Sequence, residues 1–253
     1  MTLTSAANPL VKDVRRAVQR GSLTSEGLCV AESFHLLDEA LRSRSKISVV
    51  LASESAAAKV SGDFRVAVLP DKLFQTVAAT ETSQGVMALV RLPEWQPADL
   101  FRTPAMVVVL DGLQDPGNAG AIVRAAEAFG ASGILFLKGT AHPHHPRTLR
   151  ASAGSLFRMP FLTGLDAEEA ASLLQSQSVA IHAAMPWTGA ERLACEANLR
   201  EPGAIVIGSE GHGISPALRR IAKDVAIPTA GVESLNAAMA ASILLYEMRR
   251  QRA

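Results

Sequence analysis

Short, unbroken apolar runs alternate with amphipathic stretches along most of this chain. The runs at 105–110, 133–137, 178–182 and 204–207 have the length of strands and no inside–outside alternation, which predicts strands buried on both faces of a parallel sheet. Between them, 166–175 repeats at helical spacing, as does the helix predicted after Asp115-Pro-Gly, whose apolar faces carry Ile122, Val123, Ala126 and Phe129. Asp115, Pro116 and Gly117 are read as the turn into that helix, and Gly130 as its C-terminal stop. A short strand at 225–227 leads to a last helix over 234–252. Leu235, Met239, Ile243 and Tyr246 share one face there, which predicts burial in a core or a subunit interface.

The first third carries the same alternation in smaller pieces. Helices are expected over 8–20, over 34–41 and from 71 to near 78, with strands at 28–31, 47–51, 65–69 and 86–90. The segment 92–104 holds three prolines and little periodicity, so it reads as a linker. The expected organisation is a small α/β domain at 1–91, a Pro-rich joint at 92–104 and a larger α/β domain with a mostly parallel sheet at 105–253. Residues 105–253 are expected to fold without the first domain.

Composition narrows the function only slightly. A net charge of +1 gives no global attraction to a polyanion, and 4% aromatics leave no visible stacking platform, so a nucleic-acid site must be a local patch. Two cysteines make no disulfide framework, and neither a signal-peptide core nor a membrane-length apolar run is present. A cytoplasmic location is expected.

The chemistry gathers at three predicted strand ends, the edge of an open α/β sheet where ligands bind. Asn118 and Arg124 follow the 105–110 strand. Asn118 alone would be a helix cap, whereas Arg124, among small apolar residues, has the fork that recognises phosphate or carboxylate. Gly208, Glu210, Gly211 and Gly213 follow the 204–207 strand, in a loop that is neither GxGxxG nor a P-loop. Ile227 and Gly231 precede Ser234, Leu235 and Asn236, with Ser234 the expected cap of the last helix. His142, His144 and His145 suggest a metal, but prolines interrupt them and no acidic or Cys partner is near, so no metal site is expected.

Together the three loops resemble, in order and spacing, the three motifs of the SpoU/TrmH family of RNA ribose 2′-O-methyltransferases, within the SPOUT superfamily. Ser5, Asn8, Val11, Lys12 and Glu32 are similar to the small substrate-binding domain of many members. The chain departs from the family pattern at Ser33, Thr229, Ala237 and Ala238. The resemblance implies S-adenosyl-L-methionine as cofactor, held near Gly208, Glu210, Gly211, Ile227, Leu235 and Asn236 in a deep trefoil knot. It also implies a homodimer and catalysis by Asn118, Arg124, Glu210, Ser234 and Asn236. Because a guanidinium is a poor base at neutral pH, Arg124 is read as gripping RNA phosphate and stabilising developing alkoxide, with Glu210 holding its fork. Lys12, Arg15, Arg16, Arg147, Arg150 and Arg250 are the candidate RNA contacts. Ribosomal RNA is the expected substrate. A resistance-type rRNA enzyme, a tRNA enzyme and a catalytically silent ribosome-assembly protein are the alternatives.

Overall fold

The computed structural model describes residues 1–102, 104–189 and 192–253. By internal contacts the chain divides into two units. Unit 1 is Met1–Glu94 together with His142–Arg158, and unit 2 is Trp95–Ala141 together with Met159–Ala253.

Unit 1 contains α1 (Pro9–Arg20), β1 (Cys29–Glu32), α2 (Phe34–Arg42), β2 (Lys46–Ser53), β3 (Val66–Leu69), α3 (Asp71–Gln75) and β4 (Val86–Arg91). The strands form a sheet in the order β1-β4-β2-β3, in which only β2 and β3 run parallel. Helix α1 has Pro at its first turn, Asn8 accepting from the Leu10 amide at 2.9 Å, and Gly21 left-handed at φ +61° as its stop. Such a cap contributes about 1 kcal/mol. Its apolar stripe Val11, Val14 and Ala17 closes over Val30, Leu51 and Leu89.

The second piece of unit 1 comes from within the 105–253 stretch that was read as one domain. Its short helix Pro146–Ala151 packs on β1, and Leu149, Leu156 and Phe157 are buried. The His145 ring occupies the space that a Cβ on Gly21 would take, 2.0 Å away, so α1 must end in glycine there. Arg158 donates to Glu39 Oε2 at 2.7 Å and to Ser43 Oγ at 2.9 Å. None of these partners is near in sequence, so periodicity within 142–158 carries no sign of them.

Unit 2 contains α4 (Pro97–Leu100), β5 (Met106–Asp111), α5 (Pro116–Ala128) and β6 (Gly133–Phe136). The Pro146–Ala151 helix, α6, belongs to unit 1; β7 (Phe161–Thr163), α7 (Ala167–Ser176), β8 (Ala180–Met185), β9 (Gly203–Gly208), α8 (Pro216–Arg219), β10 (Lys223–Ala226) and α9 (Ala237–Arg252) complete unit 2. Its six strands are all parallel, in the order β10-β8-β9-β5-β6-β7. The fully buried residues of β5 and β9 explain why those runs lack alternation. The expected linker is only partly one. From Trp95 onward it belongs to unit 2, with Leu100 fully buried in the core and Asp99 accepting from the Gln96 amide at 2.9 Å. Prolines at 93, 97 and 104 hid a one-turn helix, for which Pro97 suits the first position.

The chain runs from β5 outward through β6 to β7, then crosses to build β8, β9 and β10 on the other side of β5. This reversal of direction creates a crevice at the carboxyl ends of the strands. Among the described residues, no helix is long and apolar enough to cross a membrane.

Candidate active site

Two capping residues organise the crevice. Asp115 caps α5 by accepting from the Asn118 amide at 2.7 Å, so Pro116 and Gly117 lie in the first helical turn rather than in the turn before it. Helix α9 is capped by Asn236, not by Ser234 as expected: Asn236 Oδ1 accepts from the amides of Ala238 at 2.9 Å and Met239 at 3.3 Å. With its oxygen thus occupied, Asn236 donates through Nδ2 to Asn118 Oδ1 at 3.0 Å. The remaining donor of Asn118, its Nδ2, reaches Glu210 Oε1 at 3.0 Å. One directed chain of hydrogen bonds therefore runs from the start of α9 through both amides to a carboxylate, joining all three sequence motifs.

This chain corrects one expected role: Glu210 is held by Asn118 and does not hold the fork of Arg124. Arg124 is exposed on α5, six residues or about 9 Å of helix beyond Asn118, and makes no hydrogen bond or ion pair among the described residues. Ser234 is exposed and lines the neighbouring cleft.

The cleft has a volume of about 390 Å³ and opens at the ends of β8, β9 and β10. Gly208, Glu210, Ile227 and Leu235 line it, and Asn236 lies between the lining residues Leu235 and Ala237. Gly211 does not line it, and open space surrounds the position of its missing Cβ. The sequence reading missed the β8 contribution, Ala184, Met185, Pro186 and Trp187, and the apolar wall of Ile214, Val225 and Leu244. The signal was available: Met-Pro-Trp directly follows a predicted buried strand, at the same edge as the other loops.

The loop after β9 is held tightly. A Cβ on Gly208 would lie 2.4 Å from the Gly213 carbonyl carbon and 2.7 Å from the Ile214 nitrogen, so two backbone segments touch there. Ser209 and Gly213 exchange backbone hydrogen bonds at 3.1 and 2.9 Å. The buried carboxylate of Asp111, at the end of β5, accepts from the Ser215 amide at 2.7 Å and fixes the far end of the loop. Asp111 is a further positioning residue that motif reading did not single out.

The lining suits a cofactor with an apolar body and a positive centre. Among the described residues its one acidic side chain is Glu210, and none is a Lys or Arg to meet a polyphosphate. The close approach at Gly208 gives the backbone cradle that a nucleoside needs.

The candidate RNA contacts divide by what they already touch. Lys12 and Arg150 are exposed and form no ion pair among the described residues, and Arg147 is exposed on α6. Arg15 donates to Thr76 Oγ1 at 2.8 Å, Arg16 pairs with Asp13 at 2.5 Å, and Arg250 makes two bonds to Glu247 at 2.7 and 2.8 Å. Arg252 is half-buried and donates to the Leu199, Ala105 and Glu201 carbonyls, which makes it a clamp on the chain end. His142 and His144 stack with ring centroids 4.5 Å apart, and burial, together with the charge of His142, pushes His144 down to about 4. Among the described residues, no group of three or more His, Cys, Asp or Glu is placed to hold a metal.

Comparison with known proteins agrees with this geometry. Residues 105–246 match the SpoU rRNA methylase family, and residues 8–88 match the MRM3-like substrate binding domain. The chain is 30% identical to the Bacillus subtilis 23S rRNA (guanosine(2553)-2′-O)-methyltransferase RlmP, over 97% of this chain and 98% of that protein. It is 38% identical to the Coxiella burnetii 23S rRNA (guanosine-2′-O-)-methyltransferase RlmB, over 69% of this chain and 72% of that one. The AdoMet-bound rRNA methyltransferase from Sinorhizobium meliloti superposes with a TM-score of 0.84 at 28% identity, covering 99% of this chain and 97% of that one. The chain belongs to the SpoU rRNA methylase family and is an S-adenosylmethionine-dependent RNA ribose 2′-O-methyltransferase.

Proposed function

We propose that the acceptor is a ribose 2′-hydroxyl of ribosomal RNA, with 23S rRNA as the first species to test. The hydrogen-bonded chain Asn236–Asn118–Glu210, at a cleft without cationic side chains among the described residues, carries this reading. The names of the relatives in Bacillus and Coxiella support the choice of RNA.

S-adenosylmethionine supplies a methyl group already activated on sulfonium, so the residues need chiefly to align the attacking oxygen and accommodate its proton. Gly208, Ile227 and Leu235 hold the cofactor, and Ser234 supplies a hydroxyl at the cleft. Glu210 lends negative charge near the positive centre. Arg124, with no partner among the described residues, grips the RNA phosphate beside the target and stabilises charge developing on the 2′-oxygen. Asn118 and Asn236 keep the three loops in register.

RNA capture falls to exposed cations on unit 1: Lys12 on α1, and Arg147 and Arg150 on α6. Arg16 and Arg250 are offset by Asp13 and Glu247, and Arg15 is bonded to Thr76, so they contribute less. The protein acts in the cytoplasm as a homodimer. In support, Met239, Ile243 and Tyr246 form an apolar strip on α9, and Met239 and Tyr246 are 58% and 52% exposed. Within the C-terminal half, the family's deep trefoil knot accounts for the backbone contact at Gly208.

The decisive experiment incubates the protein with methyl-labelled S-adenosylmethionine and ribosomal RNA from a strain lacking the gene. Label recovered on one ribose is expected. Label recovered on a base, or only on tRNA, would refute the proposal.

A further inference from the structure

The chain has two tryptophans, and the fold uses them differently. Trp95 is half-buried and packs against the core of unit 2. Trp187 is half-buried too, but it lines the cleft and makes no hydrogen bond or ring contact among the described residues. The local sequence explains its place. Ile181, Ala183 and Met185 alternate along β8 and pack into the core. Pro186 has no N–H to extend the ladder, so β8 stops at Met185, paired with Ala226 of β10. Trp187 therefore stands just past the carboxyl end of the sheet, with its indole not consumed by the fold.

Strand order gives the cleft a direction. Asn118 and Arg124 follow β5, Glu210 follows β9, and Trp187 follows β8, in the sheet order β8-β9-β5. Neighbouring strands lie about 4.8 Å apart, which sets β8 about 10 Å from β5. The acceptor oxygen is handled on the β5 side, so the methyl of S-adenosylmethionine faces that way, beside Glu210. The arm that reaches the β8 side is then the one its lining suits. Ala184, Met185, Pro186 and Trp187 are all apolar side chains, and Pro186 offers no amide donor. A zwitterionic amino-acid arm finds little there, whereas the flat adenine ring finds an aromatic face of its own kind.

We propose that Trp187 stacks on the adenine of S-adenosylmethionine and is thereby a specificity-determining residue for the cofactor. The proposal rests on the methyl-transferring reading above. Adenine is common to the cofactor and to the demethylated product, so this contact strengthens both equally and favours neither over the transition state.

The test has two parts. In Trp95→Phe protein, where Trp187 is the remaining indole, fluorescence is followed with S-adenosylmethionine, S-adenosylhomocysteine, 5′-methylthioadenosine and methionine. The three adenine compounds are expected to quench it, and methionine is not. Calorimetry then compares Trp187→Ala and Trp187→Phe with the unaltered chain. The alanine variant should bind all three adenine compounds more weakly by one common factor, about fivefold or more, the usual loss on removing a base-stacking ring. Phenylalanine should restore most of it. In methylation assays the alanine variant should raise KM for S-adenosylmethionine and leave kcat unchanged. A loss confined to S-adenosylmethionine would put the indole against the sulfonium instead, and a loss that spares 5′-methylthioadenosine would put it against the amino-acid arm. Either result, unchanged affinity for all three, or no quenching, would overturn the proposal. The fluorescence titration keeps Trp187 in place, so it decides the matter even where the alanine variant fails to fold. Methyl transfer to RNA by the unaltered protein is measured separately, so failure of that reading and failure of the stacking contact are distinguishable.

Discussion

The two segments that flank β6 look alike in sequence and end differently. Both 115–130 and 142–158 follow apolar strands, begin with a Pro-containing turn and place arginines among small residues. In the first, Arg124 reaches the surface without a partner among the described residues. In the second, Arg158 is taken up by Glu39 and Ser43. Glu39 lies 119 residues away, so no local pattern separates the two arginines. A cation that the fold consumes and a cation left for a ligand are distinguished by tertiary partners alone.

The strongest way to break this comparison is to isolate residues 105–253. That fragment keeps every motif but strands 142–158 without unit 1. It should expose Leu149, Leu156 and Phe157 and lose most of its soluble yield, and a folded, cofactor-binding fragment would show that the segment does not depend on unit 1. Next in size, Arg124→Ala should lower turnover by roughly 10²-fold with an unchanged unfolding midpoint, as expected for a charge acting on the transition state. Single-turnover methylation close to the unaltered rate would end that assignment.

Arg158→Ala should do the opposite, leaving chemistry alone and costing about 1.5–3 kcal/mol of stability in urea melts, the usual range for a hydrogen bond to a charged group. Its pH dependence sharpens the point. Burial alone pushes the Glu39 carboxyl up, but the bonds and charges of Arg158 and Arg42 together hold it below the ordinary carboxylate range. A depressed carboxylate contributes stability above its unfolded value, about 4.3, and loses it as pH falls from there through the folded value. The variant should therefore unfold at a higher pH on acidification, and an unshifted acid transition would contradict the pairing. The smallest effect belongs to Arg150→Ala. It should weaken RNA binding a few-fold and reduce the slope of log affinity against log salt by roughly 0.7–0.9, the share of one phosphate contact. An unchanged slope would remove Arg150 from the RNA surface.

Much of unit 2 was legible because its evidence is local. Fully apolar runs specify parallel strands, and each motif sits at a strand end, which brings Gly208, Ile227 and Leu235 to one cleft. The directed chain through Asn118 was not legible, because a helix cap such as Asn236 reveals its free donor only when both backbone partners are in place. Ser234 was the better cap by position alone and lost to an amide two residues later. The role of Asp111 was equally hidden, since its partner Ser215 is 104 residues away. The Pro-rich stretch misled for a different reason: proline marks both linkers and helix starts, and only the burial of Leu100 separates the two.

The division of unit 1 into two pieces also constrains how the protein is made. A ribosome that has released Glu94 has delivered the whole first sheet, yet the second piece of unit 1, with α6 that covers β1, is complete only at Arg158, about 64 residues later. At about 5–20 residues per second this is a delay of roughly 3–13 s. Throughout that interval the nascent chain carries an uncovered strand, and β5, α5 and β6 of the other unit emerge before the first can close. Unit 1 is therefore completed only after part of unit 2 has emerged, and unit 2 is completed last.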